Sequence, residues 1–248
     1  MMFDTLDETR GPKPGAASQL PARPSGGSRD QFSGLPEHLA DDRPPGFYVR
    51  HGKRGLDLLG ALVLILVFLP LILVIVLMQA TQPGGVLFRH PRIGRGGAEF
   101  GCLKFRTMVP DADLRLSELL ERNHEARREW QEARKLVNDP RITGIGNVLR
   151  KSSLDELPQL VNVLKGEMSL VGPRPVTRAE LALYGDARPA YLSLRPGLTG
   201  KWQVSGRNDI SYTQRVDMDR DYASNVGFWG DLLILFQTVG VVLGATGR

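Results

Sequence analysis

The stretch KSSLDELPQLVNVLKGEMSLVGPRP, residues 151–175, contains two adjacent acids, a predicted helix start and a proline-flanked arginine. Ser153 and Glu156 have the spacing of a capping box, in which each residue satisfies a free backbone amide at a helix start. This spacing predicts Asp155 and Glu156 in the first turn of a helix that continues through Val163. The two carboxylates are therefore expected side by side at a helix N-terminus.

Acids in a first helical turn often serve only to stabilise the helix dipole, so they have a structural interpretation as well as a functional one. The basic residues around them favour the functional one. Arg150 and Lys151 precede the acids, and Arg174 follows the helix between Pro173 and Pro175, which stiffen the backbone. Carboxylates beside arginines suit chemistry on a phosphate, because an acid-bound metal neutralises phosphoryl oxygens and arginines hold them bidentately.

The composition indicates a single main domain with an anionic partner. The chain has 248 residues, a formal net charge of +5 and a pI near 9.5. Such a charge suits nucleic acid, a phosphorylated substrate or a lipid surface. We find no basic recognition helix or aromatic-studded sheet, so nucleic acid is not expected. The single cysteine, Cys102, excludes an internal disulfide, and the four scattered histidines do not predict a zinc site.

The N-terminal region, residues 1–50, is rich in Pro, Gly, Ser and Arg and lacks apolar periodicity. It is predicted to be a disordered tail. It does not resemble a signal peptide, because the apolar segment comes too late in the chain.

The run from Leu58 to Met78 is apolar over about 21 residues, long enough to cross a bilayer core. Basic residues flank it on both sides, whereas a simple crossing usually carries them on one side. Pro70 lies past its middle, where it can bend a helix sharply. These features predict a re-entrant helix that returns to the side it entered, and a single kinked span remains the alternative. Asp57 is expected to pair with a basic neighbour at headgroup level.

The segment around Gly96-Gly97 alternates apolar and polar residues, which predicts a β-hairpin of Val86–Ile93 with Glu99–Thr107. Lys104 and Arg106 are two residues apart on the second strand and therefore share a face. This face is either a solvated basic surface or, if the strand adjoins the acidic helix, a phosphate-facing pair.

Three further segments have helical patterns. Residues 111–137 predict one supporting amphipathic helix, and residues 179–184 predict a short one. Residues 231–244 are apolar but too short to span a bilayer, so they form a core helix or one that lies in the membrane interface. Phe228 and Trp229 precede this segment and favour the interface. The predicted fold class is α+β and mainly helical, with a membrane-inserted helix, a small β-hairpin and amphipathic interfacial helices.

Four motifs in order resemble the bacterial sugar transferases known as monotopic phosphoglycosyl transferases. They are KRGLD at 53–57, KFRTM at 104–108, the central stretch, and RPGLTGKWQVSGR at 195–207. The resemblance is strongest to the exopolysaccharide-initiating type that uses undecaprenyl phosphate, and it extends from about Lys53 to the C-terminus. It implies a re-entrant membrane helix at residues 51–80 and a membrane-associated catalytic domain at residues 81–248, on the cytoplasmic face of the bacterial inner membrane.

The resemblance also implies a reaction, in which a hexose 1-phosphate passes from a UDP-sugar to undecaprenyl phosphate and UMP is released. Asp155 would be the nucleophile that forms a covalent phosphosugar intermediate, and Glu156 would hold Mg²⁺ together with Asp155. The implied substrate-binding residues are Lys104, Arg106, Arg150, Pro173, Arg174, Pro175 and Arg195. The residues implied to fix the membrane helix are Lys53, Arg54, Asp57 and Pro70.

Other properties stay open at this point. The sequence does not choose between glucose and galactose, and it leaves open whether the chain forms a homodimer. The rival function is a membrane-anchored scaffold or regulator of polysaccharide assembly without catalysis. Such a protein would be expected to carry a second spanning helix and a long coiled coil, which the sequence does not show.

Overall fold

The computed structural model describes residues 47–133, 136–205 and 210–244. The predicted tail lies outside this part of the chain up to residue 46. The last two residues of the fourth motif, 206 and 207, also lie outside it. Residues 47–50 were included in the predicted tail, but they are helical. Most of them belong to a helical turn, Tyr48–Gly52, that directly precedes the long apolar helix. The tail boundary was therefore placed too late.

The described chain forms helices and four short strands, and the predicted α+β, mainly helical class is confirmed. The helices are α1 (Lys53–Ala80), α2 (Ala112–Arg122), α3 (His124–Ala133), α4 (Gly144–Lys151), α5 (Gln159–Lys165), α6 (Arg178–Ala182), α7 (Arg188–Ser193), α8 (Lys201–Val204), α9 (Tyr212–Ser224) and α10 (Phe228–Leu243). The strands are β1 (Leu87–Ile93), β2 (Glu99–Phe105), β3 (Ser169–Val171) and β4 (Gly197–Thr199).

Helix α1 contains Pro70 but continues through it to Ala80. The helix is therefore not interrupted at this proline, and the re-entrant path stays a prediction. Together with the preceding turn, α1 forms a helical segment, Tyr48–Ala80, that is long and apolar enough to cross a bilayer by length and composition.

One face of α1 packs against the rest of the domain near both ends of the helix. The buried residues recur at helical spacing and are Lys53, Asp57, Ala61, Ile75 and Gln79. The opposite face is apolar and exposed, with Leu59, Leu66, Val67 and Leu77 at 60–70% exposure. Exposed apolar surface on this scale marks contact with a membrane or another protein.

Polar contacts attach the N-terminal end of α1 to distant segments. Lys53 Nζ lies 2.7 Å from Asp231 Oδ2 at the start of α10 and also donates to the Val171 carbonyl. Asp57 is 2% exposed and accepts hydrogen bonds from Ser169 Oγ and the Leu170 amide. Its hydrogen-bond partners belong to β3, and the positive charges of Lys53 and Arg54 lie close enough to favour its carboxylate. Its pairing with a basic neighbour at headgroup level stays a prediction.

The C-terminal end of α1 contacts the same domain. Ile75 packs in a cluster with Phe105 of β2 and Leu149 of α4. Gln79 Nε2 donates a 2.6 Å hydrogen bond to the Arg106 carbonyl just after β2. Both ends of α1 are therefore fixed to one compact unit.

Strands β1 and β2 form the predicted antiparallel hairpin, which is confirmed with its turn at Gly96 and Gly97. Both glycines have positive φ, which favours residues without a side chain. The register pairs Arg92 with Phe100, so Arg92 shares a face with Cys102 and Lys104.

Strands β3 and β4 pair in parallel, which the sequence analysis did not predict. The approach is close at two glycines, because a Cβ on Gly197 would lie 2.2 Å from the Gly172 amide nitrogen. Leu160 and Val163 of α5 pack with Leu170 and Val171 in the main hydrophobic core below this pair. The core thereby sets the acidic turn before α5 against β2.

The predicted helix over residues 111–137 is two helices, α2 and α3, separated at Asn123. The Asn123 side chain accepts from the amides of Glu125 and Ala126, which caps the start of α3. At the C-terminus, α10 buries Asp231 and Ile234 but leaves Trp229 and Phe236 more than three-quarters exposed. Helix α10 therefore combines a core-facing side with the exposed aromatic side expected of an interfacial helix.

Candidate active site

The two acids lie in a short 3₁₀ turn, Leu154–Glu156, ahead of α5. The predicted capping box is wrong, because Ser153 adopts a left-handed conformation with φ of 59° and its side chain caps no amide. A capping serine needs extended backbone angles. The acids are therefore held by a tight turn outside the helix, where Asp155 is 8% exposed and Glu156 is half-buried.

Lys104 of β2 faces both acids. Its Nζ lies 2.7 Å from Glu156 Oε1 and 3.6 Å from Asp155 Oδ2. The sequence analysis expected Lys104 to face a phosphate only if its strand adjoined the acids. Strand β2 does adjoin the acidic turn, and Lys104 is the residue that faces it. One cation thus lies between two adjacent carboxylates.

Burial perturbs the charges of this group. Burial raises the pKa of Asp155 above its usual range, and the positive charges of Lys104 and Arg150 offset part of that effect. Burial alone would lower the pKa of Lys104, but Glu156 and Asp155 raise it above its ordinary value. A buried carboxylate with a raised pKa is more basic than an exposed one, which is typical of a functional group.

An open cleft lies beside the acids. It is lined by Arg92, Cys102, Lys104, Glu156, Gln159, Arg174, Pro175, Gly197, Leu198 and Gln203. Arg92, Lys104 and Arg174 give the cleft three cationic side chains beside one acid. This arrangement can bind a substrate with several negative charges, such as a diphosphate.

Arg92 lies in this cleft, although it was not among the predicted site residues. Its guanidinium donates a 2.8 Å hydrogen bond to Glu180, which also caps the start of α6. The hairpin register contained the signal, because it places Arg92 on the face of Lys104. Gln159 and Gln203 also line the cleft and had no recognisable sequence signal.

The Pro173-Arg174-Pro175 loop connects β3 to α6 and presents Arg174 to the cleft. The Arg174 guanidinium lies 5.4 Å from the centroid of the Trp202 ring in α8, a cation–π arrangement. Trp202 is 5% exposed, so it gives Arg174 a rigid surface to rest on. The loop residues of the central stretch therefore meet the acids in space.

Asp219 of α9 holds the same loop through a hydrogen bond to its backbone. It accepts a 2.8 Å hydrogen bond from Tyr184 Oη and another from the Arg174 backbone amide. Burial raises the pKa of Asp219 to about 7, and these hydrogen bonds and the Arg174 charge limit the increase. Asp219 is 3% exposed and does not line the cleft.

The structure places two predicted substrate-binding residues away from the acids. Arg106 follows β2, and its guanidinium donates to the carbonyls of Gly85 and Leu87. Arg195 Nε donates to the Gly166 carbonyl at the C-terminal end of α5, whereas the acids precede its N-terminal end. The hydrogen bonds described for the Arg106 and Arg195 guanidinium groups are therefore with backbone carbonyls, and Arg106 also lies over the Phe88 ring.

Arg150 and Cys102 have different relations to the site. Arg150 is an exposed residue of α4, close enough for its charge to lower the pKa of Asp155. Cys102 lines the cleft, but burial raises its thiol pKa to about 11. The thiol is therefore protonated at neutral pH, and the nucleophilic candidate is Asp155, which lies beside this cleft next to Lys104.

The domain combines an exposed apolar helix face with a pair of acids among cations. Together these features suit an enzyme that handles an anionic substrate at a lipid surface. The family follows from comparison with known proteins. Residues 48–245 match the model of the bacterial sugar transferase family, so the chain belongs to that family.

Two relatives are informative, one for the reaction in its name and the other for its similar length. A UDP-galactose-lipid carrier transferase of Erwinia amylovora is 52% identical over 79% of this chain and 41% of its own length. The exopolysaccharide production protein ExoY of Rhizobium meliloti is 50% identical over 86% of this chain and 93% of its own length.

A third relative, the undecaprenyl-phosphate galactose phosphotransferase of Salmonella typhimurium, is 47% identical over 79% of this chain and 41% of its own length. The chain thus spans about two-fifths of the length of these two transferases and nearly all of ExoY. The shared region contains both the acidic turn and the cationic cleft.

Proposed function

We propose that the chain transfers a hexose 1-phosphate from a UDP-sugar to undecaprenyl phosphate, and so begins the assembly of an exopolysaccharide repeat unit. The family match and the names of the relatives support this class of reaction. The single observation that carries the proposal is the buried Asp155 beside Lys104, which itself lines a cleft with two further cations. A scaffold would have no need for a buried, cation-paired acid at the edge of a cleft.

Asp155 acts as the nucleophile. One of its carboxylate oxygens forms a bond to the β-phosphorus of the UDP-sugar, and the bond from that phosphorus to the bridging oxygen breaks, so that UMP leaves with the electron pair. A phosphate oxygen of undecaprenyl phosphate then attacks the same phosphorus and releases Asp155. Two steps avoid bringing two large anionic substrates together at once.

Each cation of the cleft has a part in this scheme. Lys104 partly compensates the burial of Asp155 and keeps more of it ionised for attack. Arg174, held on Trp202, and Arg92 bind the oxygens of the diphosphate and position the β-phosphorus. Arg150 is placed to meet the entering lipid phosphate, because it is exposed close to Asp155.

The acids fit a magnesium ion. Asp155 and Glu156 already share one cation through Lys104, and Mg²⁺ favours one or two carboxylates together with substrate phosphates. These two carboxylates would hold the ion. When bound, it would neutralise charge on the phosphoryl oxygens.

The same proposal includes a membrane topology. Both ends of α1 contact one domain, which supports a helix whose two ends lie on the cytoplasmic side while its exposed face enters the lipid. A polyprenyl phosphate keeps its phosphate at the headgroup level. An enzyme embedded at this depth on the cytoplasmic face of the inner membrane would receive it directly.

The test is UMP release by the full chain in nanodiscs, given undecaprenyl phosphate, Mg²⁺ and a panel of UDP-sugars. We expect release with one hexose, and a loss on the order of 10³-fold or more in Asp155→Asn, because the nucleophile is gone. Asp186→Asn, at an exposed aspartate, is the matched control and should retain activity.

Two further readouts decide the outcome. Without acceptor lipid, the wild-type chain should gain the mass of one hexose phosphate, and Asp155→Asn should not. The unfolding temperature must show that Asp155→Asn is folded. Turnover in Asp155→Asn would contradict the nucleophile, and absence of release with every sugar would favour the scaffold function.

A further inference from the structure

Gln203 is a cleft residue that the proposed reaction does not yet use. It lies in α8 next to Trp202 and lines the cleft together with Lys104, Glu156 and Arg174. Its side chain therefore faces the space in which the nucleotide sugar would bind.

The orientation of the Gln203 amide follows from its hydrogen bond. Nε2 donates a 3.1 Å bond to the Leu198 carbonyl, which can only accept. This contact requires the nitrogen on that side and leaves Oε1 on the other. Within the described residues, Oε1 is buried and has no hydrogen-bond partner.

Gly200, the residue before α8, lies close to this oxygen. A Cβ at that position would lie 3.1 Å from Oε1 of Gln203 and 2.3 Å from the Gly172 carbonyl oxygen, so the absence of a side chain at Gly200 keeps Oε1 from being crowded further. An uncompensated acceptor in a buried position costs free energy, so such groups are normally paired with protein, water or ligand. Gln203 thus lines the cleft and carries a buried acceptor oxygen that has no hydrogen-bond partner among the described residues.

We propose that Gln203 Oε1 accepts a hydrogen bond from an N–H or O–H donor of the bound UDP-sugar. This inference rests on the proposed function. The cations of the cleft suit the diphosphate, which has no donor of its own when ionised. The donor must therefore be the imide N–H of uracil or a hydroxyl of ribose or hexose. Gln203 is then a specificity residue for the donor substrate.

The test pairs a variant with substrates that lack one donor. The kcat/KM of the full chain in nanodiscs is measured for wild type and Gln203→Leu with the UDP-sugar, its N3-methyluracil analogue, and deoxyribose and deoxyhexose analogues. Loss of one neutral hydrogen bond should lower kcat/KM by about 3- to 10-fold. In wild type, one analogue should show this penalty. In Gln203→Leu, the natural UDP-sugar should show this lower kcat/KM. The analogue that was penalised in wild type should then have the same kcat/KM as the natural UDP-sugar.

The analogue whose penalty disappears identifies the source of the donor. Gln131→Leu, at an exposed glutamine of α3, should keep every wild-type ratio. If all analogue penalties persist in Gln203→Leu, Gln203 has only a structural role and the inference is wrong. If wild type releases no UMP from any UDP-sugar, the proposed reaction itself fails, which is a different result.

Discussion

At the scale of single residues, Lys104 controls the charge of the proposed nucleophile. Burial raises the pKa of Asp155, and Lys104 limits that increase. Attack requires the ionised carboxylate, so activity should fall as pH decreases through the Asp155 pKa. Removing the lysine charge should raise this pKa further, and the acidic limb should move to higher pH.

We therefore predict that Lys104→Met shifts the acidic limb of kcat/KM towards higher pH and lowers the plateau by about 10²-fold, through loss of a charge that stabilises the transition state. The measurement is UMP release as a function of pH. Lys165→Met, at an exposed lysine at the end of α5, should leave the profile unchanged. A limb that moves to lower pH in Lys104→Met would contradict this account.

The residue types at the site could be predicted from sequence, but their contacts could be predicted only in part. Asp155, Glu156 and Lys104 meet because a hairpin strand adjoins the acidic turn. The alternation pattern predicts the strand and its faces, but it does not predict which segment the strand packs against. Arg106 shares the expected strand face by spacing, yet β2 ends at Phe105, so its guanidinium turns to backbone carbonyls instead.

At the scale of elements, α1 is joined to α10 by a buried ion pair. Lys53 and Asp231 have side-chain exposures of 11% and 1%, and two tyrosines, Tyr48 and Tyr222, also donate to Asp231. Breaking such a pair leaves a buried charge without compensation. The contact therefore matters more when one partner is removed than when both are.

We predict that Lys53→Met lowers the unfolding temperature on the order of 10 °C, since loss of one buried partner costs about 3–5 kcal/mol. The double variant Lys53→Met with Asp231→Leu should recover much of this loss. Arg178→Ala removes an exposed ion pair with Glu99 and should cost under about 1 kcal/mol. Equal shifts in Lys53→Met and Arg178→Ala, measured by thermal unfolding in nanodiscs, would contradict the prediction.

Local patterns predicted elements well where local chemistry decides them. The hairpin depends on Gly96 and Gly97, whose backbone angles favour glycine, and it was found. The division between α2 and α3 depends on the Asn123 cap, a local signal that the apolar spacing obscured. The β3–β4 pair and the Lys53–Asp231 contact join distant segments, and no periodicity reports such pairing.

At the scale of the whole molecule, the exposed apolar face of α1 and the exposed aromatic side of α10 belong to one unit. A straight crossing would separate the two ends of α1 by a bilayer, whereas both ends contact this unit at Lys53 and Gln79. The packing therefore supports a helix embedded from one side.

We predict that cysteines introduced at Arg50 and Ala98 react with a membrane-impermeant maleimide only in inverted membrane vesicles, which expose the cytoplasmic side. The wild-type chain sets the background, because its one thiol, Cys102, is 3% exposed. Labelling of Arg50→Cys in intact spheroplasts would establish a crossing helix and contradict the proposed topology.

The Lys53–Asp231 contact also has a consequence for biosynthesis. The partners are 178 residues apart, so α1 leaves the ribosome long before α10 exists. Protein synthesis proceeds at roughly 5–20 residues per second, so about 10 to 35 seconds pass between the synthesis of Lys53 and that of Asp231. Until Asp231 has been synthesised, the ammonium group at the start of the nascent helix lacks this carboxylate partner, so α1 reaches its final position in the domain only late in folding, after α10 has been made.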